Sequence, residues 1–206
     1  MSRGQGSGVR GQESGVRGQE SGVRGQGSGV RSQKLQSLYI ILLCIGAAIF
    51  YGVVHDQLTA RICVEYFTIG HPRIFDTDDP TLLALGWGVI ATWWVGLLLG
   101  IPMACAARCG ERPKRSARSL IRPLSILLFC MAGISLLAGL VGYLAAQSGA
   151  VYLLEPLASR VPTDKHAAFL TDLWMHLASY GAGFIGGLIL CWRIYRGRKL
   201  ASAVGA

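Results

Sequence analysis

Apolar residues along this chain do not alternate at the spacing of half-buried helices or strands. They gather in blocks about as long as a bilayer is thick, separated by short polar stretches. Roughly 20 residues of helix cross a hydrocarbon core, and the blocks at 35–54, 82–106, 121–146 and 172–192 reach that length. Each predicts a helix whose backbone groups are satisfied internally, as lipid requires. The first block follows a long polar stretch and lacks a small-residue cleavage site, so it reads as a retained helix and not a signal peptide. No block shows the mid-span interruption typical of transporter binding sites. The predicted fold is an all-α integral membrane protein built as a four-helix bundle.

The first helix does not stop where its apolar block stops. The segment HDQLTARICVEYFTIGHP, residues 55–72, has no proline before Pro72, and Gly70 is the first plausible helix stop. Helix is therefore predicted to continue, with a bend, to about Ile69. On that wheel Gln57, Arg61, Glu65 and Thr68 share one face, and Leu58, Ile62, Tyr66 and Ile69 the next. Arg61 and Glu65 are four apart and can pair, though an exposed pair contributes only about 0.3–0.5 kcal/mol.

Small residues recur at helical spacing in each block. Gly183 and Gly187 form a GxxxG on the stripe that also carries Asp172, His176 and Ser179, and Gly96 and Gly100 repeat the spacing in the second block. In lipid such faces permit close helix approach. They predict packing within one chain or between copies of it.

Charge orients the bundle. The net charge is +9, and the Lys and Arg residues fall mainly in three places. Arg3, Arg10, Arg17, Arg24, Arg31 and Lys34 precede the first block; Arg108, Arg112, Lys114, Arg115, Arg118 and Arg122 surround the 107–120 loop; Arg193, Arg196, Arg198 and Lys199 follow the last block. The positive-inside rule then puts both termini in the cytoplasm. Anionic lipid headgroups are the expected partners of these basic loops, and their position beside helix ends disfavours nucleic acid. Residues 1–34 hold four seven-residue units of the type RGQESGV. One Val per unit gives no seam to bury, and a tail this rich in Gly, Ser and Gln is expected to stay disordered.

The chemistry collects at the other end. All the histidines (His55, His71, His166 and His176) fall on the predicted outer half. Asp172 and His176 are i, i+4 on the packing face of the last helix, and His55 is on the packing face of the first, so the three can converge on a divalent metal with Asp56 or Glu65 in support. The bland counterpart is a hydrogen-bonded cluster that fixes packing. Asp76, Asp78 and Asp79 read first as a turn with an N-cap. A haem held by two histidines lacks the second pair of a two-haem cytochrome. Cys63 is the one outward cysteine, which excludes a thiol-oxidoreductase pair, and Cys105 with Cys109 lacks the ligands to complete a zinc site. No phosphate loop, HExxH or nucleophile elbow is present.

The stretch YGVVHDQLTARICVEYFTIGHP, residues 51–72, resembles an uncharacterised family of bacterial multi-pass membrane proteins with an HDQxTARxCxEYFTIGHP signature after the first transmembrane helix. On this chain the signature's chemical positions are His55, Asp56, Arg61, Cys63, Glu65 and His71. The resemblance implies a bacterial cytoplasmic membrane and four helices, with no activity attached. Two functional expectations remain: a non-catalytic membrane component that binds a partner or its own copies, and a metal-dependent membrane enzyme or ion-handling protein with a site near the outer surface.

Overall fold

The computed structural model describes the backbone of residues 7–204 and the side chains of residues 33–198. The disorder expected for the repeat tail falls on residues outside the fully described part. The elements are α1 (Ser7–Ile62), α2 (Val64–Thr68), α3 (Pro80–Ile90), α4 (Trp93–Arg108), α5 (Arg118–Gln147), α6 (Leu157–Arg160), a 3₁₀ turn at Thr163–Lys165, and α7 (His166–Val204). No strand occurs among the described residues. Among the described residues, four stretches are long and apolar enough to cross a membrane: Gln33–Ile62, Pro80–Arg108, Arg118–Gln147 and Thr163–Arg198. Their outward faces carry large apolar side chains such as Phe129, Leu137, Leu177 and Ile185, while small residues face inward.

The bundle is two helix pairs. In the first, α1 lies along α3 and α4; in the second, α5 lies along α7. Glycine sets the first contact. A Cβ on Gly88 would sit 2.6 Å from the Val53 Cα, and one on Gly96 2.6 Å from the Ile45 Cα, so backbone meets backbone there. Gly100 faces Cys44 and Ile41 on the same line. In the second pair, side chains of one helix fill the glycine gaps of the other: Met175 against Gly139, Trp174 against Gly142, Met131 against Gly183. The pairs join where Leu99 of α4 packs on Gly187 of α7. By contrast, α1 and α5 touch at few places.

Two expectations need correction. The helix anticipated over 82–106 is two helices, broken at Ala91 and Thr92. The cause is the α1 crossing: a Cβ on Gly52 would lie 2.4 Å from the Thr92 methyl carbon and 2.6 Å from the Gly88 carbonyl oxygen. The Thr92 hydroxyl donates to that Gly88 oxygen, and the Thr92 N–H turns to the Val89 carbonyl at 3.3 Å. The turn tightens, and the span is interrupted after all. The second correction concerns Arg61. Helix does continue past residue 55 to Thr68, but Cys63 is extended (φ −149°, ψ 96°) and interrupts it. Glu65 therefore no longer stands one turn above Arg61. Arg61 donates instead to the Gln57 carbonyl and side chain, each at 2.6 Å, and to the Thr81 hydroxyl at 2.9 Å.

Both ends of the bundle are closed by buried clusters. At the histidine end, Tyr66 and Phe67 of α2 pack with Cys63, Leu83, Trp87, Leu153, Val161 and Phe169. The early start of α7, at His166 where 172 was expected, supplies Phe169 and Leu170 to this layer. At the basic end, Ile40, Cys44, Met103, Ala107, Leu120 and Ile194 form the second cluster. There the guanidinium of Arg198, 1 % exposed, donates to the carbonyls of Ala106, Cys109, Arg112 and Pro113 at 2.7–3.0 Å. It satisfies the Ala106 carbonyl in the last turn of α4, the Cys109 cap and two carbonyls of the following loop, and it complements the negative end of the helix dipole.

Gly96→Ala is expected to lower the stability of the purified protein by about 1–3 kcal/mol, because the added methyl meets backbone that cannot step aside. Gly133→Ala, whose Cβ would meet nothing within 4 Å, is expected to be neutral or stabilising. Melting both variants by circular dichroism checks the pair, and equal melting points would count against the backbone contact.

Candidate metal centre

The site forms where the last turns of the described α1 face the early turns of α7. On α7, His176 Nδ1 lies 2.8 Å from the carbonyl oxygen of Asp172, one turn earlier. A carbonyl only accepts, so Nδ1 carries the hydrogen, and in the neutral ring Nε2 presents a lone pair. That Nε2 faces Asp56 Oδ1 of α1 at 3.3 Å. His55, next to Asp56 on α1, meets His176 edge-on with ring centroids 4.6 Å apart. One ligand atom from each of His55, Asp56 and His176 lies within 4.8 Å of the others, and this is the one such group among the described residues.

The surrounding contacts hold these rings in place. Tyr51, one turn before His55, stacks on it at 5.7 Å, and its hydroxyl is 2.8 Å from the Ser179 hydroxyl of α7. Tyr66 of α2 stacks on His176 at 4.5 Å from the other side. His55 Nε2 is buried and has no hydrogen-bond partner among the described residues.

The His176–Asp56 distance bears on two kinds of contact. A charge-assisted N–H···O bond runs at roughly 2.7–2.9 Å, so 3.3 Å is long for one. Bonds of about 2.1 Å from a tetrahedral metal to nitrogen and oxygen would set the two atoms about 3.4 Å apart. The same 3.3 Å also falls within reach of a weak hydrogen bond, and with the unpartnered His55 nitrogen in the group the three ligand atoms lie within 4.8 Å, so they would have to draw in slightly to share one ion. Two imidazoles and one carboxylate suit divalent zinc or iron.

The residues expected from the sequence divide as follows. His55 and His176 come together, with Asp56 as the carboxylate beside them. Asp172 does not join that group: its main-chain carbonyl orients His176, while both its side-chain oxygens are buried without a partner. Its carboxyl acts on Cys63, whose thiol is pushed up to about 12 by burial first, with Glu65 and Asp172 adding to it. The Glu65 carboxylate accepts from that thiol at 3.4 Å. His71 belongs to the apolar layer: Nδ1 donates to the Tyr66 carbonyl at 2.9 Å, the ring contacts Phe67 and Trp87, and burial lowers its proton affinity. Arg61 lies on the surface. Asp79 caps α3 through Leu82 N at 2.9 Å, and Asp78 and Asp76 flank Arg73 at 3.4 and 4.0 Å. Tyr51 and Tyr66 were not foreseen as parts of the site. Tyr51 is i−4 from His55, a spacing that could have flagged it; Tyr66 comes into place only through the break at Cys63.

A cavity of about 90 Å³ runs from this site between the two helix pairs. Tyr51, His55, Asp56, Thr92, His176 and Ser179 supply its polar lining, and apolar residues such as Ala47, Val95, Leu128 and Met131 line the remainder. Gly96, Gly183 and Gly187 also border it. Compared with protein-family models, curated proteins and solved structures, the chain finds no match.

Cys63, with a thiol that stays protonated until the pH approaches about 12, is expected to resist alkylation at pH 8 in the folded protein. Cys105 and Cys109, both exposed, are expected to react. Mass mapping of iodoacetamide adducts before and after denaturation checks this. Fast modification of Cys63 in folded protein would mean that the α2 layer does not cover it.

Proposed function

We propose that this protein is a multi-pass membrane protein, with both termini in the cytoplasm, that binds a divalent first-row metal on His55, Asp56 and His176. The observation that carries the reading is the convergence of those three ligand atoms within 4.8 Å, two of them facing each other at tetrahedral-edge distance. The membrane assignment draws on four apolar stretches of spanning length and on apolar outward faces. The orientation draws on the basic residues around the 107–120 loop and both termini. A location in a bacterial cytoplasmic membrane is part of the same proposal and rests on the resemblance over residues 51–72.

Three protein ligands leave a fourth position on a tetrahedral ion, the hallmark of sites that act on a bound molecule. The metal would supply Lewis acidity at that position, adjoining the cavity. The chain's own groups prepare it: the Asp172 carbonyl fixes the tautomer of His176, and Tyr51 and Tyr66 hold the imidazole planes. Assembly with copies of itself has less support, because Gly96, Gly100, Gly183 and Gly187 already contact helices of the same chain.

Protein in lipid nanodiscs, loaded with Zn²⁺ or Fe²⁺ and desalted, is expected to retain stoichiometric metal by mass spectrometry. His55→Ala, Asp56→Ala and His176→Ala should each weaken binding at least as much as loss of a supporting residue does, about 10–100-fold. Asp172→Asn preserves the main-chain carbonyl and is expected to keep the metal. A well-folded wild type that retains neither ion would sink the proposal.

A further inference from the structure

We propose that the cavity beside His55, Asp56 and His176 takes up a small uncharged gas molecule of the dioxygen class, and that the ion held there is ferrous iron, with its open positions toward that molecule. The inference rests on the metal reading and deepens it by naming the ion and the class of molecule that reaches it.

Size sets the first limit. The cavity holds about 90 Å³. An apolar cavity of roughly 150 Å³ stays dry and admits benzene or xenon, so by proportion this one has room for about two to four non-hydrogen atoms. That excludes a sugar, a nucleotide or a lipid chain. Polarity sets the second limit. Apolar residues such as Ala47, Val95, Leu124, Leu128 and Met131 form most of the wall. The hydroxyls of Tyr51 and Ser179 bond each other at 2.8 Å, and that of Thr92 donates to the Gly88 carbonyl. With these groups already engaged, a polar occupant would give up its hydrogen bonds to water and find few in return.

Charge sets the third limit. The Asp172 carboxyl, 0 % exposed and without a partner among the described residues, lies one turn from His176. With Asp56 it balances the two charges of a divalent ion, so the molecule at the open position needs none. An anion would bring an unmatched charge into a buried, low-dielectric site, and a cation would be repelled by the ion. Two histidines and one carboxylate with positions left open form the donor set of non-haem ferrous sites that act with dioxygen, which favours iron over zinc. The surroundings supply such a molecule. An apolar gas is more concentrated in hydrocarbon than in water, and the cavity lies among helices long and apolar enough to cross a membrane. A molecule of this size passes between packed side chains as they change rotamer, so it needs no standing entrance.

The test uses protein in nanodiscs, loaded anaerobically with Fe²⁺, desalted and exposed to nitric oxide as a stand-in for dioxygen. It is expected to give the high-spin electron paramagnetic resonance signal of a ferrous nitrosyl, in an amount that matches the retained iron. Azide, an anion of similar size, is expected not to lower that signal. Ala47→Phe and Leu128→Trp fill the cavity without replacing a ligand residue. Both are expected to keep the iron, which also reports that they fold, and to lose most of the signal. Iron-loaded wild type without the signal overturns this inference and leaves the metal site standing, as does a full signal in both filled variants or displacement of nitric oxide by azide. Retention of Zn²⁺ but not of Fe²⁺ has the same meaning. A wild type that retains neither ion overturns both.

Discussion

The approach of α1 to α3 and α4 is the constraint on which the rest of the molecule depends. Glycines at 88, 96 and 100 bring these helices together with almost nothing between their backbones. The crossing at Gly52 then leaves no room for an unbroken helix beside it, and the second span breaks at Thr92. The same crossing fixes the rotation of α1, and rotation decides where His55 and Asp56 point. Had α1 stood off by the width of a leucine, Asp56 could not meet His176 across the bundle.

The second pair obeys a different rule. Between α5 and α7, glycines receive methionine, leucine and tryptophan side chains, so that contact is filled by flexible groups and not by backbone. Two pairs with unlike packing meet at Leu99 and Gly187 and again where Tyr51, His55 and Asp56 face α7, and α1 otherwise touches both α5 and α7 at few places. The cavity is the space this mismatch leaves. It survives because the buried clusters at the two ends hold the pairs together, and middle packing is not needed to do so.

Much of this was legible in the sequence because lipid restricts the menu. Block length suffices to predict four helices of spanning length, and i, i+4 spacing puts His176 on the face that meets α1. What could not be read was the consequence of one chain element pressing on another. The break at Thr92 is a tertiary event: nothing in WGVIATWWV departs from an ordinary apolar helix, and only the neighbouring Gly52 makes it yield. The choice between Asp56 and Asp172 was hidden for a similar reason. Both lie near the right level, but local spacing favours Asp172, one turn from His176, whereas the bundle brings in Asp56 from the other helix. Likewise Arg61 and Glu65 have the spacing of a pair and fail to make one, because Cys63 leaves the helix between them.

That interruption also explains why the site lies under the α2 layer. A straight continuation of α1 would carry Tyr66 and Phe67 away along the helix axis. The extended Cys63 turns α2 so that Tyr66 covers His176 and Phe67 covers His71. Burial follows, and burial strengthens the contact: in water a carboxylate and an imidazole at 3.3 Å would interact weakly, whereas under an apolar layer their interaction, with a proton or with the proposed metal between them, is less screened. Asp172 sharpens the point. It adds a second carboxyl, 0 % exposed and unpartnered, to the same layer. An apolar residue of similar size would remove the desolvation cost that this carboxyl carries. Two carboxyls and two imidazoles under one aromatic lid are a concentration of polar cost that the proposed metal would offset.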